Sequence, residues 1–358
     1  MKILFICPHP EGVAPGQRLK YEQYFDYFRN RGIEVEVSSF ISDDFQKIIY
    51  KKGYFYLKVF YTLAGYIRRI KDIFRLKKFD GLYIFLYVTP FGFPVFEYIF
   101  TKIQPNFIYD IDDLVFLKRK NQINPIVEKI RGRSKVPFLI KKARHVITCT
   151  PFLDEYARKF THRTTDISST IDTDSYVPTN PYSNSKTIVI GWSGSHSTSS
   201  YMYLLQNVLH KIKLKYDVHI LVIGDSSFSY SDIPVEAIPW NKETEVKDLQ
   251  RIDIGLYPLP DEKWVYGKSG LKALQYMALG IPTIATAIGA NFRIIEDGIS
   301  GLLVKTEEDW LEAIERLILD PELRASIGRQ ARNRVETLYS IKANRDIYLD
   351  ILQKSLST

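Results

Sequence analysis

The segment Gly267–Lys272 reads Gly-Lys-Ser-Gly-Leu-Lys, and its residue types suit anion binding. Its two glycines permit a tight turn, and a helical pattern begins at Leu271. A helix N-terminus together with the amides of such a turn binds phosphate or other anionic oxygens. Lys268 and Lys272 are four residues apart, so both would lie on one helical face and add positive charge there. The alternative is a solvated lysine pair on a surface helix.

Further turns in the second half of the chain follow apolar, strand-like runs. Gly191 and Gly194 permit a tight turn close to a ligand, and Gly224 ends another apolar run. Trp240 follows a third such run. Ligands of open α/β sheets bind beyond the carboxyl ends of the strands, so we expect these turns to line a ligand pocket. Trp240 would either cover a ligand ring or be an aromatic residue at the edge of the core.

Three carboxylates, Asp110, Asp112 and Asp113, follow an apolar run in the first half of the chain. Carboxylates gathered at one strand end repel one another unless they are solvated or paired, and such a cost at the edge of a cleft indicates function. An Asp-x-Asp pattern can also hold Mn²⁺ or Mg²⁺. The same pattern recurs at Asp172 and Asp174, so the metal interpretation is the weaker one.

The elements that position these residues are short apolar runs separated by amphipathic stretches. The runs are mostly continuous rather than alternating, which is typical of strands buried on both faces of a parallel sheet. Helical patterns lie between many of them, and this alternation predicts doubly wound α/β layers. The predicted strands are Ile3–Cys7, Val35–Phe40, Leu82–Val88, Phe107–Ile111, Val146–Thr148, Thr187–Trp192, Val218–Gly224, Val235–Ile238, Ile252–Pro258, Pro282–Ala287 and Gly301–Val304. The helical patterns include Arg18–Arg31, Ser200–Lys213, Trp310–Leu319 and, as one or two helices, Arg324–Leu356.

The length of 358 residues suits two domains rather than one core. Two prolines amid serine and asparagine predict a linker at Ser175–Ser185, and a new strand opens at Thr187. We therefore expect a second α/β domain to begin there.

Three segments of the second half resemble glycosyltransferase family 4. Gln275–Pro282 reads Gln-Tyr-Met-Ala-Leu-Gly-Ile-Pro and resembles the family's Glu-Ala-Met-Ala-x-Gly-x-Pro motif. Arg293–Val304 is similar to its Glu-Asp-Gly-x-x-Gly segment, and Asp253–Leu259 to its penultimate strand. The first half matches more loosely. The resemblance implies the GT-B architecture of two Rossmann-like domains facing across a cleft. It also implies a retaining enzyme whose substrate is a nucleotide diphosphate-sugar, without a metal or other cofactor.

The chain departs from the family at positions that contact the donor. Gln275 stands where a glutamate usually holds the donor ribose, which a neutral amide could still do. Gly267 stands where a glutamate usually contacts the donor sugar. Residues 191–210 contain neither of the Arg and Lys that family members supply to the diphosphate. We therefore expect Lys268 and Lys272 to supply that charge as catalytic residues. The residues predicted to bind the donor are Gly191, Trp192, Ser193, Gly194, Gly224, Trp240, Ser269, Gly270, Leu271 and Gln275.

The resemblance assigns the acceptor to the first half. Asp112 stands where many members carry a cleft histidine, and it would hold or deprotonate an acceptor hydroxyl as a catalytic residue. Asp113, Gly16 and Arg18 are expected beside it, although Arg18 could instead be a solvated residue of an ordinary strand–helix connection. The expected domains are residues 1–178 for the acceptor, 179–338 for the donor, and 339–358 as a helix that packs back on the first domain.

Positive charge is confined to the first half of the chain. The net charge of +8 divides into +10 for residues 1–185 (29 basic, 19 acidic) and −2 for residues 186–358 (20 basic, 22 acidic). The stretch Tyr50–Lys78 interleaves nine basic residues with aromatics around one acid, Asp72, and a second basic cluster lies between Lys129 and Arg144. Such a helix either lies on an anionic membrane or packs on the core with a solvated basic face. Nucleic acid is not expected as a partner, because no nucleic-acid motif accompanies the charge.

These observations predict a cytoplasmic glycosyltransferase at the inner face of the cell membrane, acting on a glycan or lipid-linked acceptor in cell-surface polysaccharide synthesis. The first apolar run is too short for a signal peptide. Two distant cysteines, Cys7 and Cys149, make no disulfide framework, which favours a reducing compartment. The alternatives are a GT-B phosphorylase or nucleotide-sugar epimerase, and a non-catalytic protein that binds a nucleotide-sugar or glycan.

Overall fold

The computed structural model describes residues 1–115, 132, 134–179 and 187–357. They form two compact units. Unit 1 contains Met1–Ser169 and Asn344–Thr358, and unit 2 contains Thr170–Ala343. Part of the predicted linker, and Lys129, Arg131 and Arg133 of the second basic cluster, lie outside the described residues.

Unit 1 is built on a six-stranded parallel sheet with the order β2-β1-β3-β4-β5-β6. Its central strands are buried on both faces, as their continuous Val, Ile, Leu, Phe and Tyr content predicts. The strands are β1 Lys2–Cys7, β2 Glu34–Ser39, β3 Gly81–Phe85, β4 Phe107–Asp110, β5 His145–Thr148 and β6 Thr164–Asp166. The described helices are α1 Pro15–Arg18, α2 Phe25–Asn30, α3 Asp43–Gln46, α4 Phe55–Ile73, α5 Val95–Ile103, α6 Lys135–Lys142 and α7 Pro151–Arg158, with 3₁₀ turns at Glu22–Tyr24 and Leu76–Lys78.

Unit 2 is built on a second six-stranded parallel sheet, with the order β12-β11-β10-β7-β8-β9. Its strands are β7 Ile188–Ser193, β8 Val218–Ile223, β9 Glu236–Ile238, β10 Ile254–Tyr257, β11 Thr283–Thr286 and β12 Leu302–Val304. Its helices are α8 Gln206–Lys215, α9 Glu245–Leu249, α10 Leu271–Ala278, α11 Asn291–Ile294, α12 Glu307–Leu319 and α13 Pro321–Arg334. Irregular helical turns occupy Ser199–Leu205, Lys263–Gly267 and Val335–Tyr339.

The last helix, α14 Ile341–Leu356, lies mostly in unit 1. The ring of Tyr348 lies 4.7 Å from that of Tyr24, centre to centre. Leu356 covers Gly81 at the start of β3, where a Cβ would lie 2.7 Å from the leucine side chain. These contacts make α14 part of the packing of unit 1.

The two parallel sheets confirm the predicted α/β class. Eleven of the twelve strands in the described chain fall on predicted runs. The exception is β6, whose Thr-Thr-Asp sequence is short, polar and half-buried because the strand pairs only with β5 at the sheet edge. Among the described residues, no helix is both long enough and apolar enough to cross a bilayer.

Candidate functional site

Two glycine turns interlock at the carboxyl edge of the unit 2 sheet. β7 and β8 are neighbouring parallel strands, and the amide of Gly194 after β7 donates to the carbonyl of Ile223 at the end of β8, 2.9 Å away. Gly224 has φ +108°, and a Cβ there would collide with the carbonyl oxygen of Gly194. Only glycine allows the two turns to approach this closely. The predicted positions 194 and 224 therefore form one structural element.

The amine of Lys272 lies against the Gly194 turn. Its Nζ is 4.5 Å from the centre of the Trp192 ring and donates a 3.1 Å hydrogen bond to Thr198 Oγ1. A Cβ on Gly194 would lie 2.7 Å from the same nitrogen. Burial, and then the nearby charge of Lys268, lowers the pKa of Lys272 to about 7. An anion placed here would favour the charged form, so the amine is suited to bind one.

Trp192 supports that lysine. The tryptophan is fully buried and offers its ring face to the Lys272 ammonium, a cation–π contact. Trp192 therefore positions the amine of Lys272. Because the tryptophan is fully buried, a ligand could contact it directly only if the residues that cover it moved. Ser193, at the end of β7, donates its amide to Tyr276 Oη over 2.6 Å, which joins the strand to α10.

The turn before α10 carries the other predicted anion-binding groups. Gly270 is the N-cap of the helix with φ +73°, and a Cβ there would collide with Ile294. The helix that follows is rich in good helix formers, and its first-turn amides lack partners within the helix. Lys268 and Ser269 are half-buried in the same turn. The turn, Leu271 and Lys272 thus present two lysines and a helix N-terminus together.

Gln275 joins a buried polar network one helical turn further on. Its amide Nε2 donates to Tyr176 Oη at 2.9 Å and to Glu245 Oε1 at 3.2 Å. The same Glu245 oxygen accepts from Trp240 Nε1 at 2.9 Å. With both amide hydrogens engaged, the carbonyl oxygen is the remaining hydrogen-bonding group of the Gln275 side chain. The predicted residues Trp240 and Gln275 are therefore linked through Glu245, which the sequence did not single out.

A fixed negative charge lies on the Gly224 side of the turn. Burial alone would raise the pKa of Asp225, but hydrogen bonds from Ser199 and Ser227 outweigh it and lower the pKa to about 2. His196 Nδ1 lies 3.0 Å from the same carboxylate while the rest of its side chain is exposed. Because Asp225 stays ionised, the anionic part of a ligand is better accommodated beside Lys272.

In unit 1, the structure brings two of the predicted site residues, Gly16 and Asp112, close together. A Cβ on Gly16 would lie 2.9 Å from Asp112 Oδ2, and the thiol of Cys149 lies 3.0 Å from Asp112 Oδ1. Burial raises the pKa of Cys149 well above its usual value, so the thiol donates to the carboxylate. Asp113 follows with φ +64°, and Arg18 is half-buried at the end of α1.

Asp110 is paired rather than solvated, which is one of the two possibilities that the sequence left open. It is fully buried, with Lys20 Nζ donating to one carboxylate oxygen and Tyr83 Oη to the other. Burial alone would lower the pKa of Lys20, but the Asp110 carboxylate outweighs that effect, raises the pKa and keeps the lysine charged. Because both oxygens are engaged, the Asp110-x-Asp112 pattern does not support the divalent-metal interpretation.

Comparison with known proteins finds similarity to a family in the second half of the chain. Residues 187–320 match the family model described as glycosyl transferases group 1. The chain is 38% identical over 90 residues to the D-inositol 3-phosphate glycosyltransferase of Saccharomonospora viridis, covering 25% of this chain and 21% of that one. It is 30% identical over 111 residues to glycosyltransferase 1 domain-containing protein 1 of Xenopus tropicalis, covering 31% and 32% of the two chains. The match to the first of these curated relatives thus spans about a fifth of its length.

Solved structures match over nearly the whole chain. Sucrose-phosphate synthase from Thermosynechococcus elongatus superimposes with a TM-score of 0.73 and 16% identity, covering 99% of this chain and 98% of that one. Anabaena HepE in complex with UDP-glucose superimposes with a TM-score of 0.66 and 16% identity, covering 99% of this chain and 100% of that one. The chain therefore has the GT-B fold of these structures, and residues 187–320 are similar to the glycosyl transferases group 1 family.

Proposed function

We propose that the protein is a retaining glycosyltransferase that moves a sugar from a nucleotide diphosphate-sugar to a glycan or lipid-linked acceptor. The observation that carries the proposal is the Lys272 amine, held by Trp192 and Thr198 at the N-terminus of α10 in a unit that matches a glycosyltransferase family. Transfer of the sugar leaves a diphosphate with growing negative charge. Pre-positioned cations and amides stabilise such a leaving group, and they do so without a metal.

The donor is proposed to bind across the carboxyl edge of the unit 2 sheet. Lys272 and Lys268 would contact the diphosphate as catalytic residues, together with the amides of the turn before α10. The network of Gln275, Glu245 and Trp240 would hold the nucleoside, since it presents hydrogen-bonding groups beside an aromatic ring. Because HepE was crystallised with UDP and with UDP-glucose, uridine nucleotides are the first donors to test.

The acceptor is proposed to bind unit 1. Asp112 would hold or deprotonate the acceptor hydroxyl, beside Gly16, Arg18 and Asp113. The +10 charge of residues 1–185 supports an acidic surface as a further partner, and we propose an anionic membrane. The protein would then act in cell-surface polysaccharide synthesis at the cytoplasmic face of that membrane.

Two observations keep a second candidate function open. Gly267 offers no side chain where the family has a carboxylate, and residues 191–210 contain no arginine or lysine. A protein that binds a nucleotide-sugar or a glycan without catalysis would tolerate both changes. Release of free nucleotide that depends on an added acceptor separates the two, because only the enzyme turns over.

A thermal-shift screen tests the proposal. UDP, GDP, CDP, ADP and their sugars are each added with and without EDTA, since a ligand that binds the folded state raises its melting temperature. We expect one nucleotide to raise the midpoint equally with and without EDTA. A shift that disappears in EDTA would contradict metal-independent binding, and no shift with any nucleotide would contradict the donor site.

A further inference from the structure

Helix α4 of unit 1 turns a charged face toward the sheet. Arg69 is fully buried and donates to the backbone carbonyls of Cys7, Ser38 and Val88 at 3.0, 3.1 and 2.8 Å. It also pairs with Asp72, 3.0 Å away, which accepts a 2.6 Å hydrogen bond from Ser38 Oγ. Charged groups buried this way depend on these partners, so the helix cannot roll about its axis without leaving them unpaired.

The opposite face of the helix is apolar and exposed to solvent. Its side chains recur at intervals of four and three residues, which places them on one stripe along the helix. Between 46% and 87% of each residue is exposed. This apolar stripe consists of Tyr56, Phe60, Leu63, Ile67, Ile70 and Phe74. A surface helix of a globular protein ordinarily shows the reverse arrangement, and a continuous exposed patch marks an interaction surface.

Within residues 50–78, exposed cations accompany the stripe and no acidic residue is exposed. Lys71 lies on the helix between Ile67 and Phe74, and Lys52, Lys77 and Lys78 are exposed before and after it. The only acidic residue in 50–78, Asp72, is buried. A second copy of the helix would bring like charges together, whereas paired helices usually place opposite charges along the seam. The charge therefore complements an anionic surface rather than another copy of the chain.

We propose that α4 lies in the plane of an anionic lipid bilayer, with the apolar stripe at the acyl boundary and the neighbouring lysines on the headgroup phosphates. The buried Arg69–Asp72 face holds unit 1 in one orientation on the bilayer. The proposal rests on the membrane partner proposed above but does not depend on the sugar-transfer reaction.

Flotation of the full chain with lipid vesicles tests the proposal. Vesicles of phosphatidylcholine mixed with phosphatidylglycerol should carry the protein, and vesicles of phosphatidylcholine alone should carry much less. The double variant Phe60→Ser/Ile67→Ser removes two side chains of the stripe and should lower the partition coefficient at least about tenfold. Leu214→Ser is the matched control, because Leu214 is an exposed leucine between two lysines of unit 2. It should bind as the unmodified protein does.

Charge and alternative occupants are tested on the same vesicles. Lys71→Gln and Lys77→Gln should each weaken binding to the mixed vesicles about fivefold, whereas Lys215→Gln in unit 2 should have no effect. Equal binding by the Phe60→Ser/Ile67→Ser variant would overturn the proposal. The proposal would also be overturned if sedimentation velocity showed the unmodified protein to be a dimer and the Phe60→Ser/Ile67→Ser variant to be a monomer, because a second copy of the chain would then occupy the stripe. If the nucleotide-induced thermal shift persists while the unmodified protein binds no vesicles, the membrane proposal alone fails.

Discussion

Replacing Lys272 by methionine removes one of the two positive charges of the proposed donor site while keeping a side chain of similar length on the Trp192 ring. The amine lies 4.5 Å from that ring and 3.1 Å from Thr198 Oγ1. A charge-assisted hydrogen bond to a phosphate contributes about 1.5–3 kcal/mol. The Kd for UDP should therefore rise roughly 10- to 150-fold in Lys272→Met.

The same lysine predicts how nucleotide affinity depends on pH. Burial and the charge of Lys268 lower the pKa of Lys272 to about 7, so the free protein carries the charge below that pH and loses it above. A bound diphosphate favours the charged form, so binding takes up a proton when the pH exceeds about 7. At pH 8 about one amine in ten is charged, against one in two at pH 7, so the Kd should be about fivefold higher at pH 8.

Isothermal titration calorimetry measures both effects. Titrations in buffers of different ionisation enthalpy report the protons taken up, and Lys272→Met should abolish the uptake. Lys215→Ala is the matched control, because it removes one exposed lysine of unit 2 that precedes β8, at the opposite end of the strand from the Gly224 turn. Lys272 does not bind the diphosphate if Lys272→Met binds UDP as tightly as the unmodified protein, or if the pH dependence of the Kd survives the substitution.

Three further substitutions test the packing around the proposed sites, each by denaturant titration. Gln275→Glu places a carboxylate beside Glu245, and unit charges about 4 Å apart repel by up to about 4 kcal/mol. The free energy of unfolding should therefore fall at pH 8. It should recover at pH 5, where one of the two carboxyl groups binds a proton. Gly224→Ala should lower the free energy of unfolding by at least about 3 kcal/mol, because residue 224 has φ +108° and the new Cβ would collide with the carbonyl oxygen of Gly194. Lys20→Met leaves Asp110 buried and unpaired and should cost about 3–5 kcal/mol.

Matched controls accompany these three substitutions. Adding Glu245→Gln to the first variant should restore the stability, because only one carboxylate then remains. Gly298→Ala also places an alanine at a positive φ, but nothing lies within 4 Å of the new Cβ. It should lower the free energy of unfolding by only about 1–2 kcal/mol. Adding Asp110→Asn to the third variant should recover part of the loss. Each explanation is contradicted if its control behaves like the variant that it accompanies.

The sequence predicts the fold well because the strands are continuous apolar runs. Hydrophobic burial on both faces of a parallel sheet imposes that pattern, and eleven strands follow it. β6 lacks the pattern, since an edge strand of two threonines and an aspartate buries little apolar surface. The glycine turns after β7 and β8 were also predictable in position, because turns of this kind need glycine.

Contacts between residues far apart in the chain could not be predicted. Tyr176 is 99 positions from Gln275, and Lys20 is 90 positions from Asp110, yet each pair shares a hydrogen bond. No spacing rule links such pairs, so the sequence did not indicate Glu245 and did not identify Lys20 as the partner of Asp110. Helix α4 was predicted as basic and amphipathic, but the direction of its apolar face depends on where Arg69 finds its partners.

A crystal structure of the protein with UDP would test the central claim most directly. We expect the diphosphate at the first turn of α10, with an oxygen within hydrogen-bond distance of Lys272 Nζ and the base beside Trp240. A nucleotide bound to unit 1, or a diphosphate that reaches the protein through a divalent metal on Asp112, would contradict it.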